Sequence, residues 1–166
     1  MVRSESTAAE ERSAVRSVNE GAFGRPDEAD LVESLRCEGV VLASLVGEIQ
    51  KRVVGHILFS RMWIETAERS IPAAALAPLA VLPEYQHQGI GGQLIRHGLN
   101  FLQERGEHVV IVLGHPNYYS RFGFSSESAH SLESPFPPDA FMALELSPGV
   151  LHGIRGTVRY PAAFGL

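Results

Sequence analysis

Apolar residues run along this chain in two rhythms, one continuous and one helical. From Ala73 to Leu82 the sequence is almost wholly apolar, Ala-Ala-Ala-Leu-Ala-Pro-Leu-Ala-Val-Leu, and it halts at Pro83. Polar residues and glycines then fill Gln86 to Gly92. Beyond them Leu94, Ile95, Leu99 and Leu102 recur at helical spacing, which predicts an amphipathic helix from Gln88 to about Arg105, ended by Gly106. The first run reads as a buried strand. Pro78 lies inside it and has no N–H to give a ladder, so a bulge or broken pairing is expected there, with the backbone of Leu79, Ala80 and Val81 left open.

The same reading extends to the flanks. Met1 to Ser6 is expected as a short strand. Thr7 to Phe23 is expected as a helix with Ala8, Val15, Val18 and Ala22 inward and a Thr7/Glu10 capping box. Asp27 is expected to cap a helix from Glu28 to Cys37, with Leu31, Val32 and Leu35 inward and Gly39 at its end. Val40–Val46 and Arg52–Ile64 read as a hairpin about a Gly47–Lys51 turn. Val109 to Leu113, Val-Val-Ile-Val-Leu, reads as a strand covered on both faces. Asn117 to Arg121 reads as a short helix, Ser125 to Pro138 as loop, and Ala140–Leu146 and Gly156–Tyr160 as strands. Strands and helices mix without strict alternation. The expectation is one α+β domain spanning 1–166: a mixed, mostly antiparallel sheet flanked by helices. A single parallel pair, splayed at one end, should join the central strand to Val109–Leu113, because a helix connects them.

Composition narrows the function classes. The chain has 166 residues, 45 % of them hydrophobic, enough for one packed core. Its net charge of -5 argues against a nucleic-acid surface. A single cysteine, Cys37, allows no internal disulfide and is read as a small core residue. No apolar run approaches a membrane span and the N-terminal residues are polar, so a cytoplasmic protein is expected, as monomer or homodimer. The seven histidines show no paired metal-ligand spacing, so no metal site is expected.

The candidate chemistry begins at the glycine turn. Strand, glycine turn and helix N-terminus together make an anion site: glycines let backbone N–H groups approach a ligand, and the first helical N–H groups lack internal partners. Gln86-x-x-Gly89-x-Gly91 is neither a complete Rossmann turn nor a P-loop. Leu79-Ala-Val-Leu-Pro-Glu-Tyr-Gln-His-Gln-Gly-Ile-Gly-Gly92 resembles the acyl-CoA motif of the GNAT N-acetyltransferases, Gln/Arg-x-x-Gly-x-Gly/Ala after a strand ending in Val-x-Pro. The resemblance implies the GNAT fold. It implies acetyl-CoA as cosubstrate, held by Leu79, Ala80, Val81, Gln86, His87, Gln88, Gly89, Ile90, Gly91 and Gly92, with backbone amides on the pyrophosphate and the bulged strand beside pantetheine. Gln86 is read either as a phosphate contact or as a cap of the turn.

A second motif extends the likeness. Tyr119-Ser-Arg-Phe-Gly123-Phe124 has the Tyr-x-x-x-Gly-Phe register common in that family. The longer run from Val112 to Phe124 resembles a bacterial subgroup that usually has Gly-Asp-Pro where this chain has Gly114-His115-Pro116. By this resemblance Tyr119 is the catalytic residue, donating a hydrogen bond or proton to the leaving CoA sulfur, while an amine acceptor attacks the thioester. Tyr118 is read as structural, and Asn117 as a helix cap or a cofactor contact, with the cap preferred. A backbone N–H near Ala80 or Val81 is the expected oxyanion donor. Glu48, Glu65, Glu84 and His56 stand as candidate bases. Met62 and Trp63 are expected to pack the sheet or line a pocket, and Pro135–Pro138 to stiffen a loop or wall the acceptor site. Two other readings stay open: a non-catalytic acyl-CoA sensor that has no use for Tyr119, and an ordinary nucleotide-phosphate binder.

Overall fold

The structure, a computed structural model, describes every residue from Met1 to Leu166. Its elements in chain order are β1 (Val2–Ser4), α1 (Ala9–Phe23), α2 (Asp27–Glu38), β2 (Val41–Ile49), β3 (Arg52–Glu65), β4 (Ser70–Val81), α3 (Ile90–Glu104), β5 (Val109–Leu113), α4 (Pro116–Tyr119), β6 (Leu132–Glu133), β7 (Phe141–Glu145) and β8 (Gly156–Arg159). The sheet runs β1-β2-β3-β4-β5-β7, and β8 pairs the far end of the long β3, where β2 has ended. All pairings in the main path are antiparallel except β4 with β5. The expected α+β architecture is therefore present. One feature differs: β6, read as loop, makes a second, two-residue parallel pair with β8.

Both faces of the sheet are covered, which is why Val54 to Phe59 is buried without alternation. Ile57 and Phe59 face α3 with Leu94, Ile95 and Leu102. Leu58 faces the other way, with Val15 of α1 and Val32 and Leu35 of α2. Gly47 is not in the turn; it sits within β2 opposite Gly55 of β3. A Cβ at either position would lie 3.2 or 3.1 Å from the Ile90 side chain. The two glycines thus form a hollow into which the first turn of α3 settles, and this fixes the helix entrance against the sheet. The hairpin turn is Gln50–Lys51, both at positive φ (49° and 66°), the pattern of a two-residue hairpin loop.

Local caps depart from expectation for a tertiary reason. Ala8, not Thr7, precedes α1, and no side chain caps it. Glu11 instead bonds the Ser6 N–H and, together with Glu48, the Arg3 guanidinium. The α2 helix starts at Asp27 after Pro26. Cys37 is exposed rather than in the core. Met62 is fully buried in the sheet, while Trp63 is flanked by the Arg61 and Arg159 guanidinium groups.

Candidate active site

The site grows from the proline in β4. Leu79 pairs with Ile57 and Leu76 with Phe59, so Ala77 and Pro78 together stand opposite Leu58 alone. This is the bulge that Pro78 led one to expect, and the Ala77–Pro78 bond is cis. On the other edge, β4 pairs with β5 only at Ala74 and Ala75. From Leu76 onward the two strands part, while β5 continues along β7 to Leu113. A cleft opens between them.

Which backbone groups face the cleft follows from the ladder. The Leu82 N–H donates to the Val54 carbonyl at 2.9 Å, so Leu82 turns toward β3. Alternation gives Ala80 the same orientation and turns the N–H and C=O of Leu79 and Val81 to the open edge. Consistently, the Val81 carbonyl accepts a bond from the Gln86 side chain (2.9 Å), which caps the turn. Ala80, expected among the open positions, is buried and directs its backbone to β3.

At the end of β4 the chain makes a one-turn 3-10 helix, Pro83–Tyr85, and enters α3 through His87 (φ 62°) and Gly89 (φ 84°). Left-handed residues set among right-handed ones curl successive N–H groups into an anion-binding concavity. None of the six N–H groups from His87 to Gly92 meets an acceptor in the protein; the first helical bond is Gln93 N–H to Gly89 O, 3.0 Å. No acidic residue lies in the first turn of α3, whereas α1 and α2 each carry two or more. The helix dipole therefore meets no anion of the protein's own. Gly91 has a steric role as well: a Cβ there would lie 2.6 Å from the Tyr118 hydroxyl.

Two adjoining cavities share Leu79. One, of about 550 Å³, is bounded by Val81, Gln86, His87, Gly89 to Gly92, Tyr118 and Arg121. The other, of about 460 Å³, is bounded by Ala75 to Leu79, Leu113, Tyr119, and residues of α1, α2 and the last segment of the chain. Gln88 lies outside both; its amide bonds the Glu84 carbonyl. Tyr118 and Tyr119, ring centroids 5.1 Å apart, are split between the cavities. Tyr119 packs edge-on against Phe124, and Gly114 leaves the space its ring occupies. Its hydroxyl bonds no protein group, and burial pushes its pKa up to about 12. Burial likewise raises Tyr118. Asn117 makes no cap: His115 precedes α4 and its carbonyl accepts the Tyr118 and Tyr119 N–H groups.

The structure disperses the four candidate bases. Glu48 pairs with Arg3, Glu65 with Arg159, and Glu84 with Arg52. His56 is fully buried between Asn19 (3.1 Å) and Ser44 (2.8 Å), its pKa held down at about 3 chiefly by burial. None of them lines either cavity. The carboxylate that does is Glu28, which the sequence did not single out; its distance in sequence from every motif hid it. Arg121 was hidden inside the second motif and stands in the larger cavity beside the Tyr118 ring. Phe136, within the Pro135–Pro138 stretch, does form a wall of the smaller cavity.

Comparison with known proteins agrees with this geometry. Residues 4–126 match the acetyltransferase (GNAT) domain family. The uncharacterized N-acetyltransferase YjhQ of Escherichia coli strain K12 is 41 % identical over 132 residues, covering 76 % of this chain and 73 % of that protein. The structure of Escherichia coli YhbS in complex with CoA superposes with a TM-score of 0.89 at 31 % identity, over 100 % of this chain and 92 % of that one. A GNAT acetyltransferase from Brucella melitensis in complex with acetyl-CoA superposes with a TM-score of 0.81 at 33 % identity, over 99 % and 97 % of the two chains. With a split strand pair, an unpaired helix entrance and these relatives, the chain belongs to the GNAT acetyltransferase family.

Proposed function

We propose that this protein transfers the acetyl group of acetyl-CoA to a primary amine by direct attack. The observation that carries the reading is the run of six unpaired N–H groups, His87 to Gly92, opening beside the free edge of β4. The pyrophosphate takes those donors, with Arg121 as counter-charge. The pantetheine arm completes the ladder at Val81, displacing the exposed Gln86 side chain from its carbonyl. Ala80 keeps this edge in place through β3 rather than by touching the cofactor.

The acetyl group then lies where the cavities meet, at Leu79. The amine lone pair attacks the thioester carbonyl carbon, and charge grows on its oxygen. The Leu79 N–H, turned to the cleft, serves as the oxyanion donor. As the C–S bond breaks, its electron pair passes to sulfur. Tyr119 faces the same cavity with a free hydroxyl and stabilises that thiolate. A tyrosine near 12 against a thiol near 8.5 makes full proton transfer uphill by about 5 kcal/mol. Tyr119 is therefore a hydrogen-bond donor, and solvent supplies the sulfur's proton. The amine attacks as its free base, the ammonium having lost one proton to bulk solvent in the proportion that pH sets. Once the C–N bond forms, the nitrogen becomes acidic and its surplus proton leaves to solvent.

The test is thiol release from acetyl-CoA by the purified protein over a panel of primary amines, with CoA affinity measured separately by calorimetry. Acceptor-dependent release is expected. CoA binding with no release on any acceptor would favour a sensor, and ATP competing as strongly as CoA would favour a plain phosphate binder.

A further inference from the structure

The cavity beside Tyr119 also carries information on the acceptor. It encloses about 460 Å³, within the range of small-ligand pockets, and 13 of its 16 lining residues are hydrophobic. Phe23 and Leu31 line it from α1 and α2, and Phe136, Tyr160 and Phe164 from the later part of the chain. The aromatic side chains support one another: Tyr160 packs edge-on to Phe136 at 5.7 Å and against Phe164 at 5.0 Å. The Glu38 carboxylate anchors the last wall by accepting the Ala162 and Ala163 N–H groups at 3.1 and 2.8 Å.

The cavity's charged side chains are Arg25 and Glu28, and they pair, with Arg25 Nε donating to both Glu28 oxygens at 2.7 and 3.1 Å. The two ends of this pair differ. The Arg25 side chain is 61 % exposed and the Glu28 side chain 11 %. An exposed guanidinium is held weakly, so an incoming ammonium can take its place on the carboxylate. The same lining offers no second anionic side chain. Inside the cavity, a second ammonium group, as in a polyamine or aminoglycoside, would meet apolar walls and no carboxylate side chain to pair with.

We infer that the acceptor is a small primary monoamine on a compact apolar or aromatic body, its ammonium docked on Glu28 and its body packed against the apolar lining formed by Leu31, Phe136, Tyr160 and Phe164. The inference rests on the proposed acetyl transfer and names the acceptor class of that same site. Glu28 binds the acceptor; it does not take the proton. The amine loses its proton to water, its nitrogen forms the new C–N bond, and the C–S bond breaks with its electrons on sulfur.

The experiment compares phenethylamine and hexylamine with spermidine and kanamycin at saturating acetyl-CoA. The kcat/KM of the two monoamines is expected to exceed that of the polycations at least 100-fold. Glu28→Gln should raise KM for phenethylamine tenfold or more, with kcat within about twofold and CoA affinity unchanged. Arg25→Ala should lower that KM, because it frees the carboxylate; a merely structural ion pair would move both variants the same way. Leu31→Glu, one turn along α2 from Glu28, should shift selectivity toward spermidine at least tenfold. Turnover of the polycations in preference to the monoamines would overturn the inference and leave acetyl transfer standing. So would preference for a peptide N-terminus over every free amine, or for butyryl-CoA over acetyl-CoA, which would assign the cavity to a longer acyl chain. Release with no amine at all would overturn both readings.

Discussion

Replacing Tyr119 by phenylalanine removes one oxygen atom from the cavity and leaves the rest of the ring's contacts in place. The ring is held by its edge-on contact with Phe124 and by the space at Gly114, which phenylalanine keeps. The hydroxyl bonds no protein group, so no hydrogen bond is lost and thermal stability should be unchanged within about 0.5 kcal/mol. The catalytic effect is different. A hydrogen bond to a charged acceptor contributes about 1.5–3 kcal/mol, and here the acceptor acquires its charge only as the C–S bond breaks. The loss therefore falls on kcat, by roughly 10- to 150-fold, while CoA affinity stays constant. The assay is thiol release at saturating acetyl-CoA and amine, beside calorimetric CoA binding. A second readout is the pH profile of kcat/KM. It should rise tenfold per pH unit up to the amine's own pKa near 10, with no break from the tyrosine, whose value lies at about 12. An unchanged kcat in Tyr119→Phe, or a fall in rate well below pH 10 that this variant abolishes, would refute the hydrogen-bond role.

Three further outcomes follow from other parts of the structure. Arg121 is exposed in the larger cavity, so Arg121→Ala should weaken CoA only three- to tenfold by calorimetry, about 1 kcal/mol, with the effect shrinking at high salt. Gly98→Ala gains about 1 kcal/mol in helix propensity, yet its Cβ would lie 2.3 Å from the buried Phe59 ring, so close an approach that overpacking falls in the upper part of its usual range, about 2–3 kcal/mol, and leaves a net loss of about 1–2 kcal/mol. The melting temperature should drop by roughly 2–8 °C, and a rise would contradict the contact. His56 is held at about 3 when folded and lies near 6.5 when unfolded, so the unfolded chain binds the extra proton. Stability is then fully present above about pH 6.5 and is lost toward pH 3, at up to about 1.4 kcal/mol per pH unit. Glu5, 4.0 Å away and raised by burial despite Arg36, opposes this around its own range, whereas Glu11, held at about 2 by Arg3, adds to the loss below about 4.5. Urea unfolding at stepped pH should show the decline already between pH 6.5 and 5; a flat profile there would contradict it.

What the sequence disclosed and what it withheld divide along the reach of the interactions. Pro78 and the glycines from Gly89 to Gly92 act on their own backbone, so bulge, turn and helix entrance could be read directly. The parallel partner of β4 was legible because a single helix links it to Val109–Leu113. Other features depend on distant residues. The Thr7/Glu10 cap did not form because Arg3 and the Ser6 N–H draw in Glu11 instead. Gly47 looks like a turn residue, yet it is a glycine because Ile90, far along the chain, presses against it. The two-residue β6 exists only because β8 lies beside it. The orientation of Ala80 needed the ladder phase set by Leu82 and Val54. The smaller cavity draws on α2 and the last residues, which carry no local signature, and on the Pro135–Pro138 stretch, whose prolines had marked it as a possible wall.

The central claim is that main-chain donors at the entrance of α3 grip the cofactor's pyrophosphate. Amide ¹H–¹⁵N spectra recorded during titration with CoA test it most directly. The account predicts large, saturable shifts at His87 to Gly92, matched by desulfo-CoA and by acetyl-CoA, because the donors address phosphate and not sulfur. Saturable CoA binding that leaves those six amides in place, or no binding at all, would contradict it.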